Sequence, residues 1–124
     1  MDLSTLKNKK ILIVEDDFTN RELIIEIFEG IDVILDIAIT GDEAIKKCTE
    51  QDFNLVLMDI QLPGKNGFDA TEEIKKIRPE LNIIAQTAYA YDTDRTHSLL
   101  SGCCDYIAKP FKKEELLRLV LKYI

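Results

Sequence analysis

The stretch KKILIVEDDF, residues 9–18, drives four apolar residues straight into three consecutive carboxylates, Glu15, Asp16 and Asp17. An apolar run this short, bounded by charge on both sides, has the length of a strand rather than of a helix. The apolar residues that follow, Leu23, Ile24, Ile27 and Phe28, fall at helical spacing, and Gly30 supplies a stop. A strand running into a helix through a cluster of like charges is the unit from which the rest of the chain is read.

The unit repeats. Strands are predicted over 10–14, 32–37, 55–58, 82–86 and 106–108, and helices over 19–29, 41–50, 67–77, 93–101 and 112–123. The middle strands, with their LVLM and IIA runs, are almost wholly apolar, as strands covered on both faces are. Pro79 cannot continue the third helix, and Gly102 ends the fourth. Alternating strands and helices with right-handed crossovers leave few topologies. The simplest is an α/β, flavodoxin-like, doubly wound parallel sheet of five strands in the order 2-1-3-4-5, with five helices.

The 124 residues suit one domain, 1–124, with no output domain in the chain. A 46% hydrophobic and 31% charged composition is that of a folded globular chain rather than a disordered one. The net charge of −7 argues against nonspecific binding to nucleic acid or to an anionic membrane. The N-terminus MDLSTLKNKK lacks the apolar core of a signal peptide, and no apolar run is long enough to span a bilayer, so the expected location is the cytoplasm. Cys48, Cys103 and Cys104 are odd in number and lack CxxC spacing, the pattern of packed thiols rather than of a zinc or redox centre.

In a doubly wound sheet, ligands bind beyond the carboxyl ends of the strands, where strand order reverses. That rule brings EDD, after strand one, together with Asp59, after LVLM of strand three. Carboxylates a few ångströms apart either raise a pKa or recruit a cation. Magnesium takes oxygen ligands, and one or two carboxylates plus phosphate oxygens and water are its usual shell. Strands four and five end in AQTA and AKPF, adding Thr87 and Lys109 to the same edge. Positive charge, a hydroxyl donor and a carboxylate nucleophile are the parts that phosphoryl transfer to an acyl phosphate requires.

ILIVEDD, LVLMDIQLPGKNGF, IIAQTA and DYIAKPF together resemble the landmarks of two-component response-regulator receiver domains, over nearly the whole chain. The resemblance implies that Asp59 accepts a phosphoryl group from a phosphohistidine on a histidine kinase or a histidine phosphotransfer protein. It implies Mg as cofactor, with Asp16 as a direct ligand, Glu15 acting through water, and Asp59 and the backbone carbonyl of Gln61 completing the protein's share. Thr87 and Lys109 are the implied phosphoryl-binding groups, the Lys109–Pro110 bond is expected to be cis, and Tyr106 is the implied aromatic switch that follows Thr87. Gln61 and Tyr89 occupy the positions that tune phosphoryl lifetime. The fourth and fifth helices are the expected output or homodimer face, and the first helix the docking face for the donor. Such a domain is a signalling module that catalyses only its own phosphorylation and dephosphorylation. MDIQLPGKNGFDAT and IIAQTAYA are more similar to receivers of hybrid histidine kinases than to those joined to DNA-binding domains, and a stand-alone regulator is the alternative. Cys104 departs from the acidic or amide residue usual before the tyrosine.

Other readings account for less. Helix capping explains one acid, and Asp17, just before FTNREL, is the better placed to do it. A flavin phosphate would be repelled by EDDFTN, and a dehalogenase-type phosphatase needs a second acid two residues past Asp59, where Gln61 stands. His97, the single histidine, is expected on a polar surface of the fourth helix.

Overall fold

Three of the helix starts are set by a short polar side chain that turns back on the chain. Asp17 accepts from the Asn20 amide at 2.9 Å, Thr40 from Glu43 at 3.0 Å and Asn66 from Asp69 at 3.0 Å. The structure, a computed structural model, describes residues 1–88, 97, 99 and 101–124. A single 3-10 turn at Leu3–Leu6 precedes β1 (Lys10–Val14), α1 (Phe18–Ile27), β2 (Ile34–Ala38), α2 (Gly41–Glu50), β3 (Leu55–Asp59), α3 (Gly67–Ile77), β4 (Asn82–Thr87), β5 (Asp105–Ala108) and α4 (Lys113–Tyr123). The five strands form one sheet in the order β2-β1-β3-β4-β5, every neighbouring pair parallel, as the sequence predicts.

Four α-helices are delimited among the described residues, against the five expected. The helix expected over 93–101 falls on a stretch of which only 97, 99 and 101 are described, each of them helical. The expected fifth helix is α4. Two other differences bear on the site. β3 runs on to Asp59 and β4 to Thr87, so both residues sit within the strand ladder and not in loops after it. α1 stops at Ile27, two residues early, because the Phe28 and Glu29 amides bond back to Ile25 and Glu26 at 3.1 Å each, tightening the last turn before Gly30 at φ +78°.

Alternate residues along the strands face two separate cores. Leu12, Val14, Val56 and Met58 pack toward Phe68 and Ile74 on the α2/α3 side. Ile11, Ile13, Leu57 and Ile84 pack toward Ile24 and Leu116 on the α1/α4 side. Among the described residues no helix is long and apolar enough to cross a membrane.

Candidate functional site

The pairing register decides which side chains meet. Val14 pairs with Met58, so Glu15 lies level with Asp59, and Asp59 pairs with Gln86. In a parallel ladder, paired residues share a face, so Glu15, Asp59 and Gln86 form a polar row continuing the apolar rows of Ile13, Leu57 and Ile84 on the α1/α4 side. Lys109, two residues beyond Ile107 of that same core, joins them.

Glu15 is 1% exposed and Asp59 3%, while Asp16, one residue on, faces solvent. A carboxylate oxygen from each of the three lies within 4.8 Å of the others. Lys109 Nζ reaches Glu15 Oε1 at 2.7 Å and Asp59 Oδ1 at 3.3 Å. Burial pulls the Lys109 pKa down, but the hydrogen bond to Glu15 and the negative charges of Asp59 and Glu15 outweigh it, and the ammonium is held above its ordinary value. Burial pushes the Glu15 carboxyl up, the neighbouring Asp59 adds to this, and Lys109 offsets it only in part. One ammonium among three acids leaves negative charge in excess. An all-oxygen donor set with surplus charge fits a hard divalent cation such as magnesium.

Backbone groups fix this arrangement. Arg21 donates from Nη1 to the carbonyls of Glu15 at 3.2 Å and Asp16 at 2.8 Å, pinning the EDD turn. Asp17 turns away to cap α1, as the sequence predicts, and its amide donates to Glu15 Oε2 at 3.3 Å. The Gln61 amide donates to Asp59 Oδ1 at 3.1 Å. Thr87 is buried, and its carbonyl accepts from the Lys109 amide at 2.7 Å, tying the ends of β4 and β5 together. The Lys109–Pro110 peptide is cis, as expected. Tyr106 is half-buried against the α2/α3 core, across the sheet from the acids. Tyr89 lies outside the described residues. His97 is exposed, as expected, but it is not simply solvated: its ring stacks on Phe68 with centroids 3.8 Å apart.

Three residues of the site escaped the sequence reading. Arg21 was one cation in a mixed helix. Gly67 reads in the sequence as a helix start, yet a Cβ there would lie 2.2 Å from the Asp59 carbonyl oxygen, so a glycine is required by close approach. Gln86 stood out only as the single polar residue before Thr87 in the run IIAQT. Cys48 and Cys103 are buried and Cys104 half-buried; all are free, and burial pushes each thiol up to about 11.

A family model described as the response regulator receiver domain matches residues 11–121. The chain belongs to that family. It is 32% identical to hybrid signal transduction histidine kinase G of Dictyostelium discoideum over 98% of its own length but only 4% of the kinase's. Among solved structures, this receiver superposes at a TM-score of 0.87 and 34% identity on the receiver domain of sensor histidine kinase PA1611 from Pseudomonas aeruginosa PAO1, with 94% and 97% of the two chains covered. That receiver holds a magnesium ion in its active-site cleft. It also superposes at a TM-score of 0.88 and 27% identity, over 95% of this chain and 90% of that one, on the Saccharomyces cerevisiae complex of the histidine phosphotransfer protein Ypd1 with the receiver domain of Ssk1. Receiver domains of this family are modules of two-component signalling, including those carried by histidine kinases.

Proposed function

We propose that this receiver takes a phosphoryl group onto Asp59 from a phosphohistidine on a histidine kinase or histidine phosphotransfer protein. The observation that carries the reading is the buried Asp59 carboxylate held between Lys109 and Glu15, with Asp16 within reach. An Asp59 oxygen attacks phosphorus in line, the phosphorus–nitrogen bond breaks with its electron pair going to nitrogen, and the imidazole leaves neutral, protonated on its other nitrogen or by solvent water. Lys109 supplies positive charge to the transferring oxygens and neutralises the acyl phosphate formed. Thr87 supplies a hydroxyl on the same edge. Glu15, Asp16, Asp59 and the Gln61 carbonyl are the groups that would hold magnesium, whose chemistry there is to offset negative charge on the phosphoryl oxygens.

Buried Thr87 and half-buried Tyr106 are the switch pair of this reading. A displacement of Thr87 toward the phosphoryl group biases a two-state equilibrium that Tyr106 follows, altering the surface of α4 and of the helix expected over 93–101. That face is the proposed output or homodimer surface, and α1 the proposed docking surface for the donor. Gln61, and Tyr89 with it, tune how long the acyl phosphate survives; a Tyr89→Ala change is expected to hasten label loss.

Intact-mass measurement after incubation with acetyl phosphate and magnesium tests the assignment directly. One metal-dependent phosphoryl adduct is expected in the wild type and none in Asp59→Asn. Absence of the adduct from the wild type, or its survival in the variant, overturns the choice of Asp59.

A further inference from the structure

Gln86 stands in the polar row beside Asp59, yet its side chain bonds to nothing around it. It is 0% exposed, and among the described residues neither Oε1 nor Nε2 has a hydrogen-bond partner. A buried amide without partners is costly, and a leucine would occupy the same place on β4 without that cost. Such a cost, borne at a functional site in one state, is offset when another state supplies the missing partners.

The two groups best placed to be those partners are engaged with each other. Gln86 pairs with Asp59 on one side and with Ile107 on the other, and Lys109 lies two residues past Ile107 on the same face. To reach Glu15 on β1, the Lys109 side chain spans the ends of β4 and β3, where Gln86 and Asp59 stand, and Gln86, Lys109 and Glu15 line one cavity. At rest the ammonium lies 2.7 Å from Glu15 Oε1 and 3.3 Å from Asp59 Oδ1, and Oδ1 also accepts from the Gln61 amide at 3.1 Å. A phosphoryl group on Oδ2, the oxygen that the Gln61 amide does not hold, changes this balance. Its oxygens draw the ammonium away from Glu15 and from Oδ1. Oδ1 then has room for a second donor, and the ammonium, with three protons, has one to give to an amide oxygen beside its new place.

We propose that Gln86 is a positioning residue of phosphoryl transfer: when the Lys109–Glu15 pair opens, its Nε2 donates to Asp59 Oδ1 and its Oε1 accepts from Lys109 Nζ. The inference rests on Asp59 as the phosphoryl acceptor. It makes the amide a latch for the loaded state, unsatisfied at rest and satisfied once Lys109 has moved to the phosphoryl oxygens. The latch also fixes the ammonium in one orientation toward those oxygens.

Beryllium trifluoride with magnesium, a stable stand-in for the phosphoryl group, tests the latch on the full chain by two-dimensional NMR. Its affinity should fall about tenfold in Gln86→Leu, the loss expected of a hydrogen bond to a charged group. The unloaded variant should be no less stable than the wild type in chemical denaturation. In the wild type, the Gln86 side-chain NH2 signals, traced from its own backbone, should move downfield on loading and exchange more slowly with solvent. Equal affinity in the variant overturns the role of Gln86. So do NH2 signals that stay in place, including the case in which a trapped water already satisfies the amide. A variant destabilised before loading has lost a bond present at rest, and that too overturns the latch. None of these outcomes touches Asp59, because the wild type still binds the probe. A wild type that binds no probe overturns the latch alone where the acetyl phosphate adduct still forms, and removes Asp59 with it where the adduct is absent as well.

Discussion

The two sides of the sheet end differently at the carboxyl edge. On the α2/α3 side the chain is jammed: Gly67 leaves no room for a Cβ against the Asp59 carbonyl, and a Cβ on Gly41 would come within 2.9 Å of the Lys65 carbonyl. Phe68, buried beside them, closes the layer under the ring of His97. On the α1/α4 side lies a row of polar side chains, Glu15, Asp59 and Gln86, with Lys109 bonded to the first two and a cavity beside Glu15 and Gln86. One side supplies rigid backbone and the other supplies charge and space. A reactive carboxylate needs both, because its oxygen must be held in place while its surroundings accept new atoms.

The sharpest way to break this contrast is to force a side chain into the jammed face. Gly67→Ala should destabilise the fold by about 3 kcal/mol in chemical denaturation, since the close atoms are backbone and cannot swing aside. It should also abolish the phosphoryl adduct by displacing Asp59. A variant of native stability would show that the two faces are equally pliable.

Removing the lysine attacks the other face by charge rather than by volume. Lys109→Met strips Glu15 and Asp59 of their shared cation and should cost about 2 kcal/mol at pH 7. The pH dependence has a definite sign. The Glu15 pKa is raised in the fold, so the folded state binds that proton more tightly than the unfolded chain does. Stability linked to Glu15 is therefore present below its ordinary value and lost as pH rises through the raised one. The deficit of Lys109→Met should shrink on acidification across that window, as the uncompensated carboxyl becomes neutral. Magnesium should oppose the same surplus charge in the wild type, adding about 1.4 kcal/mol at ten times its dissociation constant. A melting temperature indifferent to magnesium would count against the acidic cluster as a metal seat.

Gln86 offers a change in the opposite direction. Gln86→Leu removes two buried, unpartnered polar atoms at nearly constant volume and should raise stability by about 1 kcal/mol. Destabilisation instead would mean that the amide has partners in solution, and the polar row would then be a closed network rather than an open one.

How much of this was legible in the sequence follows from what each feature depends on. Strand order, the meeting of EDD with Asp59, and the arrival of Lys109 follow from apolar runs, crossover handedness and the strand-end rule, all of which act through local pattern. The tight face does not: Gly67 reads as a helix start, and only the approach of the Asp59 carbonyl, a contact between two chain segments, shows why it must be glycine. Arg21 is similar, since nothing in FTNREL says that its guanidinium turns back to two carbonyls instead of facing solvent. The stacking of His97 on Phe68 joins residues 29 positions apart, beyond any periodic signal. At Asp59 and Thr87 the strands run one residue past the sequence-predicted ends, because polar residues end an apolar run before they end the ladder.

The smallest expected effect uses the adjacent cysteines as reporters of the two faces. Cys103 belongs to the α2/α3 core and Cys104 packs on the α1/α4 side, because consecutive residues in extended chain point to opposite sides. Both thiols are pushed up to about 11, mainly by burial, so at pH 8 both are almost wholly protonated. Any difference in alkylation rate then reports access. Cys104, half-buried, should react with iodoacetamide several-fold faster than Cys103, which is 4% exposed, while neither change alters the fold. Peptide mass mapping of partly labelled protein reads the ratio, with Cys103→Ser and Cys104→Ser to assign it. Equal rates would mean that the jammed face opens as often as the other, and the division of labour between rigid backbone and reactive space would lose its basis.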